Sequence, residues 1–474
     1  MLFNSIDFLF IFLPIVFIGY FLCNKFKLYT LGKLWLALAS LFFYAYYNIQ
    51  YLSIIISSVV FNYSIGLLLQ KEVFPKLNNR VVLTFAILVN LLLLSYYKYF
   101  DFLIQCFNNI ANAQFNTMHL LLPLGISFFT FQQLSYIVDC YKKEVKNTNF
   151  IDYVLFVTFF PQLIAGPIIH HEEIIPQFED MSKKRINHEN IAIGLFFITI
   201  GLVKKVLLAD SFSPFIQRTI TNVWNLDFLN SWFFALSVGC QGYFDFSGYC
   251  DMAIGIGMLF NITLPINFNS PYKAIDISDY WRRWHITLGK FLKNYVYIPL
   301  GGSRVGEFNT YRNLFIVFFL TGVWHGANWP CVTYGVVNAL LVCVNKFWKS
   351  LNININKKLA ILITFTTMIF IAPLVIIKTM PQYFKVLTSM VGFNTHFTMV
   401  TLDGLNMKFY NGSSLDILLI GISLFILFGM QNSSELAKKY VATKSLPATI
   451  LLAILFIVST LSLNQVTEFI YFQF

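Results

Sequence analysis

Long apolar segments alternate with short polar segments along the whole chain. The hydrocarbon core of a bilayer is ~30 Å thick, so a spanning helix needs about 20 apolar residues. Runs of this kind lie near residues 6–23, 31–48, 50–69, 81–100, 119–138, 150–170, 191–209, 228–260, 313–345, 358–378, 414–430 and 446–463. The pattern predicts an all-α, polytopic integral membrane protein with about 10–13 transmembrane helices. The run 6–23 is predicted to be the first span and not a signal peptide, because no basic segment precedes it.

Three segments depart from this rhythm. The runs 228–260 and 313–345 are too long for one straight span, so each is predicted to hold a kinked helix or two shorter pieces. Residues 268–311 are too polar to span, yet apolar side chains recur there at helical spacing. This spacing predicts one amphipathic helix that begins near Asp276 and ends before Pro299, with Trp281 and His285 on one face.

Composition supports a membrane protein. The chain is 57% hydrophobic and only 12% charged, whereas soluble domains carry about 25% charged residues. We therefore expect one membrane domain over residues 1–474. The net charge of +11 comes mainly from basic loops between apolar runs, which the positive-inside rule places in the cytoplasm, and not from a nucleic-acid-binding surface. The 24–33 and 71–80 loops are predicted to be cytoplasmic, and no metal site is predicted from the scattered cysteines.

A histidine in an apolar run is the first candidate for chemistry. His325 lies in Trp324-His325-Gly326, within residues 313–345, which contain no Lys, Arg, Asp or Glu. Burial of an ionisable group at membrane depth costs free energy, so such a residue is a candidate for a functional role. Burial favours the neutral imidazole, a base that can take a proton from a hydroxyl as it attacks an acyl carbonyl. The alternative is a structural histidine bonded to a neighbouring helix.

A second histidine follows a cationic and aromatic segment. His285 ends the sequence Trp281-Arg282-Arg283-Trp284-His285. Guanidinium groups suit oxyanions, so Arg282 and Arg283 could bind a diphosphate, a carboxylate or lipid headgroups. The alternative is an interfacial belt of tryptophan and arginine anchors.

Two acidic residues, Asp245 and Asp251, lie in another apolar run. They are six residues apart, which is about 600° of helix, so a paired-carboxylate acid and base is not expected. One of them could orient a histidine or pair with Arg282 or Arg283, and a structural ion pair is the simpler interpretation.

Several motifs in this order resemble the membrane-bound O-acyltransferase family, in particular its bacterial branch that O-acetylates alginate and peptidoglycan. The resemblance covers nearly the whole chain, with a core at about 120–330. It is carried by Pro123–Phe128, Thr130–Gln132, Phe160–Pro167, Tyr243–Tyr249, Asp251–Ala253, Tyr280–His285, Tyr297–Gly302, Trp324–Ala327 and Phe469–Phe474.

The resemblance implies re-entrant or amphipathic helices around a central tunnel, with His325 as the catalytic histidine at its narrow point and His285 as a second, supporting one. We expect the supporting and tunnel-lining residues to be Trp324, Asp245, Trp281, Arg282 and Arg283. The acyl donor would be acetyl-CoA or another cytoplasmic acyl thioester, with no bound cofactor. The acceptor would be a polysaccharide outside the inner membrane of a bacterium, reached with a periplasmic or surface partner protein.

Two other functions remain open at this point. The same fold and the same Trp-His-Gly sequence would suit a D-alanyl transfer protein for teichoic acids. A transporter with His325 as a proton-relay group is a further alternative, and inverted-repeat symmetry would be its sign.

Overall fold

The computed structural model describes residues 1–71, 78–145, 149–393, 414–443 and 445–463, and their regular secondary structure is entirely helical. This confirms the all-α prediction. In the first half of the chain the α-helices are α1 Leu13–Lys25, α2 Tyr29–Ala45, α3 Gln50–Lys71, α4 Asn79–Lys98, α5 Phe100–Ala111, α6 Ile126–Tyr141, α7 Phe150–Thr158, α8 Phe160–Leu163, α9 His171–Glu179, α10 His188–Leu202 and α11 Asp210–Thr221. They are followed by α12 Phe228–Leu259, α13 Ile277–Arg283, α14 Ile286–Leu292, α15 Glu307–His325, α16 Trp329–Ser350, α17 Lys357–Ile371, α18 Met380–Met390, α19 Ser414–Gly429, α20 Ser433–Thr443 and α21 Leu446–Leu461. Segments of π-helix occupy Asp7–Phe12, Val203–Ala209 and Lys293–Tyr297.

Six helical segments of the described chain are long and apolar enough to cross a membrane: Asp7–Lys25, Gln50–Gln70, Asn79–Lys98, His188–Thr221, Trp329–Ser350 and Lys357–Val375. A pair bent by 67°, Leu415–Gly429 with Ser433–Thr443, gives a seventh if it is one span, and two apolar helices are shorter. The protein is therefore polytopic, as predicted. The number is smaller than about 10–13 because some apolar runs are divided into pieces below spanning length. The run 150–170, for example, is split between α7 and α8 at Phe159.

The two overlong apolar runs have different structures. Within the run 228–260, Phe228–Leu259 form one uninterrupted helix, α12, of 32 residues, so this run is not two shorter pieces. Residues 313–345 are divided between α15 and α16, as expected for two pieces, with the break at 326–328. Asn328 caps α16 by accepting a hydrogen bond from the backbone N–H of Cys331 at 2.8 Å.

The described residues form two compact units. The first comprises Met1–Ile200 and Tyr249–Ile266, and the second comprises Gly201–Gly248 and the described part of Asn267–Phe474. The expectation of one domain over residues 1–474 stays a prediction.

Buried amides connect the helices of the first unit. The Nδ2 group of Asn62 on α3 donates to Oε1 of Gln133 on α6 at 3.0 Å. The Nδ2 group of Asn90 on α4 donates to Oδ1 of Asn62 at 2.7 Å. All three residues are buried, and such amide pairs satisfy polar groups that lipid cannot solvate.

Close backbone contact between α15 and α16 positions the end of α15 in the second unit. A Cβ atom added to Gly322 would lie 2.3 Å from Cα of Gly335, so only glycine permits this approach. His325 is the last residue of α15, one turn after Gly322. The contact therefore determines where the Trp-His-Gly sequence lies.

The prediction of one amphipathic helix after Asp276 is wrong. The segment is broken into α13 and α14, and His285 at the break has a left-handed backbone with φ of +47°. The loop 267–269 pairs with the break: the N–H of Ile286 donates to the carbonyl of Asn267 at 3.0 Å, and the N–H of Asn269 donates to the carbonyl of Arg283 at 2.9 Å. These bonds replace the helical ladder, so His285 does not continue the helix that carries Trp281.

Candidate active site

An asparagine orients the His285 imidazole. His285 is 2% exposed, and its Nδ1 lies 3.2 Å from Oδ1 of Asn267. The same oxygen accepts hydrogen bonds from the backbone N–H and the hydroxyl of Thr287, both at 3.1 Å. Because a backbone N–H can only donate, this atom is an acceptor, and Nδ1 of His285 donates to it. The neutral ring therefore carries its basic lone pair on Nε2.

The surroundings of His285 are apolar and aromatic. Its ring meets the edge of Phe246 at a centroid distance of 4.8 Å and lies 5.7 Å from the ring of Trp324. Burial, together with the nearby His325, lowers the pKa of His285 well below its usual range. His285 is outside the candidate spans and is held neutral at physiological pH.

The His325 ring also packs against Trp324. His325 is 4% exposed, and its ring centroid is 4.9 Å from that of Trp324 and 5.6 Å from that of Tyr334. Trp324 thus contacts both imidazoles. The structure brings together the two histidines and the tryptophan that the sequence singled out.

A small cavity reaches His325. Its volume is about 60 Å³, and it is lined mainly by aromatic and small residues, among them Gly239, Tyr272, Tyr280, Trp284 and Tyr334. This space holds a few water molecules and is much smaller than the ~300–1,000 Å³ of typical ligand pockets. Side chains must therefore move before a molecule much larger than water can reach the imidazole.

Trp281 lies beside this group and not within it. Its ring contacts Phe318 and Tyr334 at centroid distances of 5.4 and 6.4 Å. Through Tyr334 it supports the aromatic wall next to His325. Among the described residues, no hydrogen-bond acceptor meets its Nε1.

The two arginines pair with an acidic residue of their own helix. Nη2 of Arg282 lies 3.4 Å from Oδ1 of Asp279, and Nε of Arg283 lies 3.1 Å from Oδ2 of the same residue. The Arg282 side chain is 64% exposed. These pairs stabilise α13, and exposure leaves Arg282 able to contact a charged ligand or headgroup.

Asp245 belongs to a buried ion cluster. Nζ of Lys205 lies 2.8 Å from Asp245 and 2.8 Å from Asp210, and all three side chains are nearly inaccessible to solvent. The suggested pairing of Asp245 with Arg282 or Arg283 is wrong, because Lys205 forms its ion pair and Asp279 forms theirs.

Sequence reasoning missed several residues of this region. Lys205 could have been identified from the sequence, since burial of a lysine within the apolar run 191–209 costs free energy at membrane depth. Asn267, Thr287 and Tyr334 could not, because each is an ordinary residue until the loop and the helices bring it to a histidine. Within the described ranges, no group of three or more His, Cys, Asp or Glu residues could hold a metal ion.

Comparison with known proteins identifies the family. Residues 41–373 match the model of the MBOAT, membrane-bound O-acyltransferase family. The chain is 41% identical to a peptidoglycan O-acetyltransferase of Helicobacter pylori, over 100% of this chain and 98% of that protein. It is 32% identical to a probable alginate O-acetylase of Pseudomonas putida over the full length of both. A teichoic acid D-alanyltransferase of Bacillus subtilis is 27% identical over 48% of this chain and 60% of its own length. The chain is an enzyme that transfers acyl groups to hydroxyls and belongs to the membrane-bound O-acyltransferase family.

Proposed function

We propose that the protein moves an acetyl group from a cytoplasmic thioester toward hydroxyl groups of peptidoglycan outside the bacterial inner membrane. The observation that carries the catalytic part is the pair of buried imidazoles that both contact Trp324, one of them lining a cavity. The choice of polymer is supported by end-to-end similarity to a peptidoglycan O-acetyltransferase, with higher identity than to the alginate relative.

In the proposed reaction His325 is the general base. Its imidazole takes the proton of an acceptor hydroxyl while the oxygen attacks the thioester carbonyl. The carbon–sulfur bond then breaks, and the thiolate leaves with the proton that the imidazole had taken. The net change is one thioester and one alcohol converted to one ester and one thiol. The aromatic walls keep bulk water from competing as the nucleophile.

His285 has a supporting part in this proposal. Its Nδ1 is committed to Asn267, so Nε2 is the atom directed to the reaction. Two imidazoles that share a buried space disfavour simultaneous protonation, as the effect of His325 on the pKa of His285 indicates. His285 thereby favours a neutral His325 before the proton is transferred, and it can accept a hydrogen bond from the second substrate.

The donor, the partner and the cellular location complete the proposal. The donor is acetyl-CoA or another acyl thioester, and no resident cofactor is needed for ester exchange. Because the acceptor polymer lies beyond the membrane, a periplasmic or surface partner protein receives the acetyl group and delivers it. This partner is suggested by the distance between donor and acceptor compartments.

A substitution at His325 tests the proposal. The chromosomal gene is replaced by a His325→Ala allele in a strain that keeps its other genes, and ester-linked acetate in purified peptidoglycan is measured after mild alkaline release. Loss of the general base should lower the acetate content by about 100-fold or more. His188→Ala is the matched control, because His188 is an exposed histidine at the start of α10. Normal acetate content with normal levels of the His325→Ala protein would reject the assignment.

D-alanyl transfer is the alternative to be separated, because relatives named teichoic acid D-alanyltransferase match about half of the chain. Cells are labelled with radioactive acetate or radioactive D-alanine, and ester-linked label in the envelope is compared between wild type and His325→Ala. The proposal predicts loss of the acetate label alone. Loss of the D-alanine label alone would favour the alternative.

A further inference from the structure

A large cavity opens in the first unit, between the end of α1 and the segment 181–186. Its volume is about 610 Å³, within the range of ligand pockets. One half is apolar, from the last turns of α1, and the other half is cationic. The residues that define the two halves are Phe17, Phe21 and Leu22 on the apolar side and Lys25, Lys27, Lys184 and Arg185 on the cationic side.

The charges of this cavity have one sign. Four of its lining residues are cations, and none is acidic. Lys25, Lys27 and Arg185 are exposed, whereas Lys184 is 5% exposed and donates from Nζ to the carbonyl of Phe178 at 2.6 Å. Burial and the nearby Lys33 lower the pKa of Lys184 to about 8. The cationic half therefore attracts anions.

The two halves coincide with two depths of a membrane. The candidate span Asp7–Lys25 ends where the cations begin, so the apolar half lies along hydrocarbon and the cationic half at headgroup level. The basic 24–33 loop is predicted to be cytoplasmic. A free anion would use only the cationic half, whereas an amphiphile with a phosphate and an acyl chain would fill both.

We propose that this cavity binds an anionic phospholipid of the cytoplasmic leaflet. The phosphate accepts hydrogen bonds from Lys25, Lys27 and Arg185, and one acyl chain lies along Phe17 and Phe21. Basic pockets at the cytoplasmic ends of spanning helices recognise anionic headgroups in this way. The lining residues of this cavity belong to the first unit, whereas the two histidines belong to the second.

Removal of the exposed cations tests the site. The full chain is purified in detergent, and binding of a fluorescent phosphatidylglycerol is titrated for wild type and for the triple variant Lys25→Gln, Lys27→Gln, Arg185→Gln. Each cation near an anionic lipid contributes about fivefold in affinity, so the triple variant should bind about 100-fold more weakly. Lys184 stays in place because its bond to Phe178 supports the fold.

A charge-matched control separates this site from general attraction. The variant Lys357→Gln, Lys358→Gln, Lys438→Gln removes three exposed lysines that do not line the cavity, and it should bind like wild type. Phosphatidylcholine should bind at least tenfold more weakly than phosphatidylglycerol, and 10 mM inorganic phosphate should not displace the lipid. Equal losses in the two triple variants, equal binding of the two lipids, or displacement by phosphate would each overturn the proposal. Unfolding temperatures within a few degrees of wild type show that both triple variants are folded.

Discussion

Replacement of Asn267 by leucine removes an acceptor that serves three donors at once. Asn267 is 1% exposed, and its Oδ1 accepts from His285 Nδ1 and from two groups of Thr287. Each hydrogen bond contributes about 1 kcal/mol net, so Asn267→Leu should lower the free energy of unfolding by about 3 kcal/mol. Leucine has a similar volume, so the loss comes from the bonds and not from a cavity.

The same substitution should also reduce acetyl transfer by the protein that remains folded. Without an acceptor at Nδ1, the proton of His285 is free to move to Nε2, and the ring loses its orientation. Mutation of the hydrogen-bond partner of a metal-bound histidine typically lowers metal affinity or activity by roughly 10–100-fold. We expect Asn267→Leu to reduce acetyl transfer by a similar factor. Thr287→Val is the matched control, since it removes one hydroxyl donor and leaves the pairing of His285 with Asn267 intact.

A charged replacement at the same position adds a pH test. Asn267→Asp keeps an acceptor for all three donors but adds a negative charge that favours the imidazolium and raises the pKa of His285 by about 1–3 units. Acetyl transfer by this variant should then fall more between pH 8 and pH 6 than transfer by wild type, in which the pKa of His285 is held low. Acetate per folded protein in membranes is the assay. Equal activity of Asn267→Leu and Thr287→Val, or a flat pH profile for Asn267→Asp, would refute this account of the ring.

Three further results are expected from thermal unfolding in detergent. Lys205→Met should cost about 3–5 kcal/mol because it removes the cation that lies 2.8 Å from each of two buried carboxylates. Asp245→Asn should cost much less, and equal losses would contradict the cluster. Gly322→Ala should lower the free energy of unfolding by about 1–3 kcal/mol, because its Cβ would force the backbone of Gly335 away. The variant protein that still folds should transfer less acetate. Unchanged stability and activity would exclude the close contact. Stability should fall as pH drops below about 6.5, because the unfolded chain binds a proton at position 285 that the folded chain does not, and a non-titratable residue there should remove that slope.

The hydrophobic pattern predicted the helical membrane architecture because burial in lipid depends on runs of neighbouring residues. The same reasoning singled out His325 as a candidate, since an ionisable group is conspicuous in an apolar run. His285 was found from its cationic and aromatic neighbours. The structure places both histidine rings against Trp324, and their catalytic role stays a prediction.

Long-range contacts account for what the sequence did not predict. The break at His285 depends on backbone bonds to the loop 267–269, which no local periodicity encodes. The ion pair of Lys205 with Asp245 joins residues forty positions apart, so charge patterns within one helix could not reveal it. The position of Asn267, which determines the tautomer of His285, likewise depends on the folded structure and cannot be predicted from local sequence.

The left-handed backbone of His285 limits which substitutions are informative at that position. Most L-residues pay about 1–2 kcal/mol to adopt such a conformation, whereas asparagine and glycine adopt it readily. Replacement of His285 by alanine would therefore have two effects: it would remove the basic group, and it would place in the left-handed region a residue that disfavours it. Asparagine retains the turn and removes the imidazole, so it is the replacement that measures the chemistry of the ring by itself.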